Sequence, residues 1–367
     1  MGVLIILIAF AFCILAGIVP TILYVFLVWR LDRYEKEPLR LLAAAFLWGA
    51  LPAAVLSVIL ENAFDLPIRA LSQSYSQIIS ASVVAPLVEE SVKGLALLGL
   101  FGLAHSEFDD VLDGIIYGSL VGLGFAMTEN IFYFFRAAQQ NSLPGWSVVV
   151  LGRAVAFGFN HAMFTAFTGI GLGLARYSKS VAGRWLLILS GLAMAMMAHF
   201  CHNFFLAAGD LCLLSFLVDW FGVFLVLVII LLMWGRERAW LRTQLAEEAA
   251  LGVLTPLQAE TIASRRERFK RGWYLLGISG LAQLRLWRTL ADTASELAFK
   301  KHQLATMGEE KGNSATIAAL RIKVLRLRQR LGDQVALSSR VCSRCGRSTT
   351  NADAAFCAYC GGPWVAG

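Results

Sequence analysis

The amino-acid sequence predicts an all-α polytopic membrane protein with about seven transmembrane helices, followed by a helical cytoplasmic tail and a small zinc-ribbon module. Three observations predict this class. The 367 residues are 58% hydrophobic and 16% charged, with a mean hydropathy of +0.66, whereas ordinary soluble domains are about 25% charged. Long apolar segments recur up to Trp234, and a charged region with helical spacing follows. Four of the seven cysteines fall near the C-terminus. The predicted domains are therefore 1–234, 235–340 and 341–367.

The apolar segments define the predicted membrane helices. A helix that spans the hydrocarbon core of a bilayer needs about 20 apolar residues. The segments of sufficient length are 3–29, 39–60, 82–103, 114–135, 146–174, 185–207 and 213–234. The fifth is long enough to tilt or break. The first has no basic residue before it and is too long for the apolar core of a secretory signal, so we interpret it as a span.

Charge asymmetry orients these helices. Lys and Arg cluster after the first, fifth and seventh segments, whereas the opposite loops contain only Arg69 and Arg136. The positive-inside rule then places the N-terminus outside and the tail in the cytoplasm, which we expect for a protein of the plasma (inner) membrane. Residues 1–234 carry 11 Lys+Arg against 14 Asp+Glu, whereas residues 235–340 carry 19 against 10. The tail is therefore strongly basic.

The tail predicts four amphipathic helices, at 235–251, 255–272, 281–307 and 315–331, with Thr255-Pro256 as a helix start signal. In the last of them, leucines alternate with Lys and Arg. This pattern is compatible with an arm on anionic lipid, a partner-binding coiled helix, nucleic-acid contact or a solvated linker. A cytoplasmic protein partner for the tail is compatible with the pattern, and a nucleic-acid partner is not expected.

The most informative feature is a pair of adjacent acids inside an apolar segment. Glu89 and Glu90 are followed by Lys93, and the i,i+3 and i,i+4 spacings place the lysine on the carboxylate face of a helix. Each charge near the middle of a membrane costs roughly 2.5–3.5 kcal/mol on insertion scales. One interpretation is an ion pair that fixes helix packing. Because two acids share one base, we favour acid–base chemistry, in which one carboxyl is ionised and its neighbour protonated.

Two histidines in later spans have polar neighbours one helical turn away. His161 precedes Thr165, and His199 precedes Asn203, each by four residues. A lone histidine on an apolar helix is more often a satisfied core residue than a catalyst. Two such pairs, with carboxylates in neighbouring helices, favour a hydrolytic site.

These residues form ordered motifs that resemble the PrsW family of intramembrane proteases, which belongs to the larger CPBP/ABI group that includes the CAAX prenyl proteases. The motifs are Glu89-Glu90-x-x-Lys93, Phe125-x-x-x-Glu129-Asn130, His161-x-x-x-Thr165 and His199-x-x-x-Asn203. The resemblance covers roughly residues 32–207. It implies a helical bundle with a polar cavity that opens partway into the bilayer, and an endopeptidase that cuts membrane-anchored proteins such as anti-sigma regulators.

The resemblance also implies roles for individual residues. Glu89 or Glu90 would orient and deprotonate the attacking water, His161 would assist as base or acid, and His199 with Asn203 would supply oxyanion donors. The prenyl-protease branch has a longer spacing with arginine after the acids, and a histidine where Glu129 stands. Glu129 is therefore a site residue without an assigned role, and prenylated CAAX substrates are not expected.

A catalytic metal is an alternative, because two histidines and two or three glutamates can hold Zn²⁺ with one position open for water. The His-Glu-x-x-His spacing of zincins is absent from the sequence. We therefore favour glutamate-type chemistry without a catalytic metal.

The C-terminal cysteines form two knuckles that resemble a zinc ribbon. They are Cys342-x-x-Cys345-Gly346 and Cys357-x-x-Cys360-Gly361. Two Cys-x-x-Cys pairs at this separation predict a closed tetrahedral Cys₄ site for a structural Zn²⁺. A segment this short folds only with its metal.

Two other classes of function remain open from the sequence. Intramembrane Glu, Lys and His residues also line proton relays in transporters and channels. A non-catalytic scaffold that presents the ribbon to a partner is the third candidate.

Overall fold

The chain consists of two compact units of helices. The computed structural model describes residues 2–34, 36–71, 75–105, 107–140, 142–309, 312–332, 340–345, 348–349, 356–357 and 359–366. The first unit, called the membrane unit below, comprises Met1–Asp32 and Glu37–Leu231. The second, called the tail unit, comprises Arg33–Lys36 and Leu232–Gly367.

The membrane unit is helical throughout its described residues, apart from short connections. Its last helix continues beyond Leu231 into the tail unit. Its elements are α1 (Gly2–Trp29), α2 (Leu39–Trp48), a π-helical segment (Gly49–Ala53), α3 (Ala54–Leu71), α4 (Ser76–Ile79), a second π-helical segment (Ser80–Val84), α5 (Ala85–Leu103), α6 (Val111–Gln140), α7 (Leu143–Leu151), a third π-helical segment (Gly152–Ala156), α8 (Asn160–Arg176), α9 (Val181–Ala207) and α10 (Cys212–Ala250).

Six helices in the described part of the chain are long and apolar enough to cross a membrane. They are Ile6–Trp29, Leu39–Ala70, Val111–Gln140, Leu143–Arg176, Val181–Ala207 and Cys212–Ala250. The predicted segment 82–103 is helical but is not among the six, because Glu89, Glu90 and Lys93 make it too highly charged by composition. The predicted fifth span does break, between the third π-helical segment and α8.

Helix α6 lies at the centre of the membrane unit and packs against α1, α2 and α8. Its glycines make the contact with α8 possible. A Cβ on Gly114, Gly118 or Gly122 would collide with the backbone of α8, at Gly169, Thr165 and His161 respectively. The two backbones therefore meet directly, as expected for small residues between membrane helices. This contact brings His161 of α8 beside the acidic residues of α5 and α6.

The three π-helical segments share one feature: a side chain from another helix donates to a carbonyl in each. Thr128 donates to the Ala50 carbonyl at 2.5 Å, Asn203 to the Ala81 carbonyl at 2.7 Å, and Tyr24 to the Ala154 carbonyl at 2.7 Å. Within an apolar bundle, a carbonyl left without a donor is costly. These interhelical hydrogen bonds therefore stabilise the wide turns and tie them to neighbouring helices.

The tail unit has a core of its own. Its helices are the polar end of α10, α11 (Pro256–Ile262), α12 (Arg265–Met307) and α13 (Asn313–Arg330). Thr255 and Gln258 form a capping box at the start of α11, which confirms the predicted start signal. The predicted helix 255–272 is wrong, because the chain leaves helical geometry between α11 and α12.

Helix α12 is bent into two arms at Gly280, whose φ is +77°, a left-handed conformation that glycine adopts without a side-chain clash. The indole nitrogen of Trp287 on the second arm donates to the Arg268 carbonyl on the first at 3.2 Å. The apolar residues of α13, including Leu320, Val324 and Leu327, are buried in the tail core. The leucine pattern predicted for this helix therefore faces the core of the unit.

Three short strands follow: β1 (Arg340–Cys342), β2 (Ser348–Thr349) and β3 (Trp364–Ala366). They form a sheet in the order β2-β1-β3, with both pairs antiparallel. Arg321 on α13 donates to the Cys345 carbonyl at 2.6 Å, and the same guanidinium pairs with Glu248 at 2.7 Å. The cysteine segment is thereby joined to the helices of the tail unit.

Candidate active site

Helix α5 presents its two acids to one buried lysine. The Lys93 ammonium donates to Glu89 Oε2 at 3.0 Å and to Glu90 Oε1 at 2.8 Å. The side chains of Lys93 and Glu90 are fully buried, and Glu89 is nearly so. The Lys93 nitrogen also lies 3.8 Å from the centre of the Phe125 ring. The i,i+3 and i,i+4 pairings expected from the sequence both form, so the two acids share one positive charge.

His161 joins the acids of α5 to the acid of α6. Its Nδ1 lies 2.9 Å from the Lys93 ammonium and 3.9 Å from Glu89 Oε2. Its Nε2 lies 2.9 Å from Glu129 Oε2. The imidazole is therefore held at both nitrogens, with a carboxylate on one side that fixes its orientation.

Glu129 is paired with an arginine as well. Arg153 reaches Glu129 Oε2 at 2.8 Å and donates through Nε to Asn130 Oδ1 at 2.8 Å. Arg153 belongs to the third π-helical segment, whereas Glu129 and Asn130 are neighbours on α6. Glu129 thus has a position that the sequence did not define, between an arginine and the imidazole of His161.

The second predicted histidine also reaches the acid pair. His199 Nδ1 lies 3.1 Å from Glu90 Oε1, and the Thr165 hydroxyl donates to Glu90 Oε2 at 3.0 Å. Asn203 lines the same cavity, and its amide nitrogen already donates to the Ala81 carbonyl at 2.7 Å. The structure brings all six predicted site residues together, while their catalytic roles, including the oxyanion role of Asn203, stay predictions.

A cavity of about 870 Å³ borders this cluster. Glu89, Glu129, His161 and His199 form part of its wall, and the π-helical residues Ser80, Ala81 and Arg153 form another part. The cavity is thus lined by polar groups within a mainly apolar bundle. It has the volume of a typical small-ligand site.

Sequence reasoning missed several acids near this cavity. Glu61 and Asp65 lie on its wall, because α3 continues past the predicted end of the second span. Asp219 is fully buried, with its Oδ2 2.7 Å from His202 Nδ1 and 3.0 Å from the amide nitrogen of Asn160. Asp219 is the only charged residue in the predicted span 213–234, so the criterion that singled out Glu89 would have found it.

The C-terminal cysteines also converge. The Sγ atoms of Cys342 and Cys360 are 3.4 Å apart, and those of Cys345 and Cys357 are 3.5 Å apart. Gly361, at φ +67°, forms the turn after the second knuckle, whereas Gly346 lies outside the described residues.

The environment of the Cys357 thiol favours its ionisation. Burial raises the pKa of this thiol, but the backbone N–H groups of Tyr359 and Cys360, together with the neighbouring thiols of Cys345 and Cys360, outweigh this effect and lower the pKa to about 7. Thiolates are the form that binds metal.

Chemically, the cluster in the membrane unit combines carboxylates, imidazoles and two basic side chains beside a cavity within apolar helices. Carboxylate and imidazole groups are suited to moving protons to and from a water molecule and a leaving group. The fold and the site therefore define a polytopic helical membrane protein with a hydrolase-type site in its interior.

Comparisons with known proteins identify the family. The model of the PrsW family intramembrane metalloprotease matches residues 37–234, more than half of the chain, so the chain belongs to the PrsW family. It is similar to proteins named Protease PrsW from Clostridioides difficile (38% identity over 42% of this chain and 62% of the relative), Geobacillus kaustophilus (30%, 44% and 66%) and Bacillus subtilis (26%, 61% and 92%). No solved structure matches.

The chain thus spans a little under two thirds of the length of the first two relatives. The matches confirm the prediction of an intramembrane protease family and of an integral membrane protein, and they do not favour the transporter. The placement in the CPBP/ABI group and the zinc ribbon lie beyond what the names of these relatives state.

The family description names a metal, and the donor set of the membrane unit fits one. One ligand atom from each of Glu89, Glu90, His161 and His199 lies within 4.8 Å of the others. Carboxylate oxygens and imidazole nitrogens are ligands of Zn²⁺ and related ions. A metal is plausible from both the family and the donors, and the sequence-based preference for chemistry without a metal stays an untested prediction. The Lys93 ammonium already contacts three of the four side chains, so an ion held by the same donors would share the two carboxylates with it.

Proposed function

We propose that the membrane unit is an endopeptidase that hydrolyses a peptide bond of a membrane-anchored protein. One observation carries the proposal: Glu89, His161 and His199, from three helices, meet on the wall of a single cavity inside an apolar bundle, and Glu90 pairs with His199 directly behind that wall. An enzyme that cuts within a membrane must admit water to a protected pocket, and this cavity is lined by polar groups among apolar helices.

Each group has a proposed task. Glu89 or Glu90 accepts the proton of the attacking water, and this proton is returned to the leaving amine with the assistance of His161. Glu129 holds the His161 ring from the opposite nitrogen, as carboxylates hold working imidazoles. His199 and Asn203 supply donors to the developing oxyanion. A divalent metal, when bound by the two glutamates and two histidines, would supply Lewis acidity and lower the pKa of its water.

We also propose that α4 and α5 with their π-helical link form a seventh span. Residues 76–103 would extend about 42 Å as a helix, more than the ~30 Å of a hydrocarbon core. The charges of Glu90 and Lys93 are buried in protein, whereas Leu87, Leu95 and Leu98 on the same helix are exposed. The face available to lipid is therefore apolar. Seven spans with the N-terminus outside would place the tail in the cytoplasm, beside a plasma (inner) membrane.

The substrate class is inferred from the family and the site. A single-span protein can reach the cavity from within the bilayer, and regulators of the anti-sigma type are membrane-anchored proteins of this form. Placement within the CPBP/ABI group follows from the paired glutamates and the two histidine motifs. We infer that the tail and ribbon bind a cytoplasmic protein partner.

The activity can be tested in liposomes. Purified protein would be incubated with a panel of single-span peptides, beside the variants Glu89→Gln and His161→Ala. Two matched controls, Glu107→Gln and His105→Ala, change the same residue types in the membrane unit without touching the cavity. We expect cleavage by the wild type and controls, and its loss in the two site variants. Equal cleavage by all five proteins would contradict the assignment, and cleavage by none would favour a transporter or scaffold.

The four C-terminal cysteines are proposed to bind a structural Zn²⁺. Their sulfur atoms lie within 4.8 Å of one another, and Gly362 sits so close to Cys342 Sγ that a side chain there would displace it. Elemental analysis should find one zinc fewer per chain in Cys342→Ser than in the wild type. Zinc that remains in this variant and is lost in Glu89→Gln would locate a second ion in the membrane unit.

A further inference from the structure

The first arm of α12, residues 265–279, carries an exposed face that the core of the tail unit does not use. Arg268, Gly272 and Leu275 face the second arm or the core. On the opposite side Phe269 is 65% exposed and Trp273 59% exposed. Large aromatic residues are seldom left in water when a core is available, and here the core lies on the other side of the same helix.

The apolar exposure continues to the bend. Ile278 and Leu281 flank Gly280 and are 63% and 60% exposed. From Gly272 to Leu284 the sequence contains no Asp, Glu, Lys or Arg. The two arms and their connection therefore form a helical hairpin, residues 265–291, whose tip is uncharged and apolar.

Basic residues flank this tip at a defined distance. Arg265, Arg266, Lys270 and Arg271 are exposed on the first arm, against one acid, Glu267, which pairs with Lys270 at 2.8 Å. On the second arm Arg285 and Arg288 are exposed. At 1.5 Å per residue, Trp273 lies about 10 Å and Arg271 about 14 Å from the tip along the helix.

From the tip outward, the order of aliphatic, aromatic and basic side chains matches the layers of one leaflet of a membrane. Aliphatic side chains suit the acyl region, Trp and Tyr favour the interface, and Lys and Arg favour anionic headgroups. Interfacial elements typically enter a bilayer by about 5–10 Å, which matches the distance from the tip to Trp273. A nucleic acid would also attract the basic residues but would leave Ile278 and Leu281 exposed to water.

We propose that the α12 hairpin inserts its tip into the surface of an anionic phospholipid membrane. This contact would hold the tail unit against the headgroups. The buried apolar residues of α13 exclude that helix as the lipid arm, although its sequence pattern was the one that suggested it.

The test is site-specific photo-crosslinking of the full-length protein in liposomes. The photo-reactive residue p-benzoylphenylalanine would replace Ile278 at the tip or, as a matched control, Leu257, an exposed leucine of α11. Liposomes would contain phosphatidylcholine alone or with phosphatidylglycerol, and lipid adducts would be quantified by mass spectrometry. We expect lipid adducts at position 278, and few at position 257.

A second experiment neutralises the basic residues beside the tip. Lys270→Gln with Arg271→Gln should lower the adduct yield at position 278 by about 30-fold in phosphatidylglycerol liposomes, the factor that corresponds to ~1 kcal/mol for each of the two basic residues at an anionic surface. Hydrogen exchange of residues 284–300 would verify that the hairpin stays folded. Equal yields at positions 278 and 257, no effect of phosphatidylglycerol, or suppression of the adducts by added RNA would each overturn the proposal.

Discussion

Two clusters of four potential metal ligands, among the residues that the structure describes, differ in the groups that surround them. The cluster of Glu89, Glu90, His161 and His199 has a buried lysine within hydrogen-bonding distance and borders a large cavity. In the second cluster the four cysteine sulfur atoms lie within 4.8 Å of one another. The first cluster therefore has a cation of the protein beside its carboxylates and faces a cavity. We propose that the second is balanced instead by a Zn²⁺ held by all four sulfur atoms, which would leave no position for a reactant.

Disabling each cluster in turn tests whether the two clusters have separate functions. Glu90→Gln should lower peptide cleavage by about 10²–10⁴-fold, because a positioned acid or base typically contributes that much. Cys357→Ser should leave cleavage within about twofold while zinc content falls. Initial rates in liposomes and elemental analysis would measure both. If the cysteine variant lost activity as severely, the two clusters would be one functional system.

The charge balance of the first cluster predicts a large effect on stability. Lys93→Met leaves two buried carboxylates without their shared cation, and removal of one partner from a buried ion pair costs about 3–5 kcal/mol. Thermal unfolding in detergent would measure the loss, with Lys179→Met as the control at an exposed lysine. Unchanged stability would show that the acids take up protons or bind another cation once Lys93 is replaced, and elemental analysis would distinguish the two.

The position of His161 depends on helix packing, which predicts an effect of intermediate size. A side chain on Gly122 would meet the backbone carbonyl of His161, and overpacking of this kind costs about 1–3 kcal/mol. Gly122→Ala should therefore lower both the unfolding temperature and the cleavage rate. Gly99→Ala is the matched control, because its Cβ would have no neighbour within 4 Å. An unchanged rate would mean that α6 and α8 can separate without moving the site.

The smallest predicted effect concerns Arg153. Its pair with Glu129 is about a quarter exposed, so its contribution to stability is at most ~1 kcal/mol. Arg153→Gln should reduce kcat by a few-fold, since Glu129 and the His161 ring lose part of their alignment, and should leave KM nearly unchanged. Arg136→Gln, an exposed arginine outside the cavity wall, is the control. A change in KM alone would assign Arg153 to substrate binding.

Patterns within single segments of the sequence predicted much of the fold and of the candidate site. The cost of charges in apolar segments pointed to the α5 acids, and helical spacing pointed to their pairing with Lys93. The glycines of α6 stand at four-residue spacing in the sequence, and in the structure they meet the backbone of α8. Spacing within single helices carries this information, because residues three or four positions apart share a face whatever the tertiary fold.

Contacts between helices were harder to predict. The sequence does not state which helices are neighbours, so the bond from Glu129 to His161 and the pair of Asp219 with His202 emerged only from the fold. The amphipathic pattern of α13 left several interpretations open, among them an arm on lipid and a solvated linker, and in the structure its apolar residues lie in the tail core. Periodicity identifies an apolar face but leaves open whether protein or lipid covers it.

Each π-helical segment described above holds one residue more than a regular turn of α-helix would. The wide turn accommodates that residue without rotating the α-helix on either side of it. In Ser80–Val84 the wide turn leaves the Ala81 carbonyl to accept from Asn203, so removing one residue would restore regular winding and remove this hydrogen bond. The length of this short stretch is therefore a constraint on the chain, independent of which amino acids occupy it.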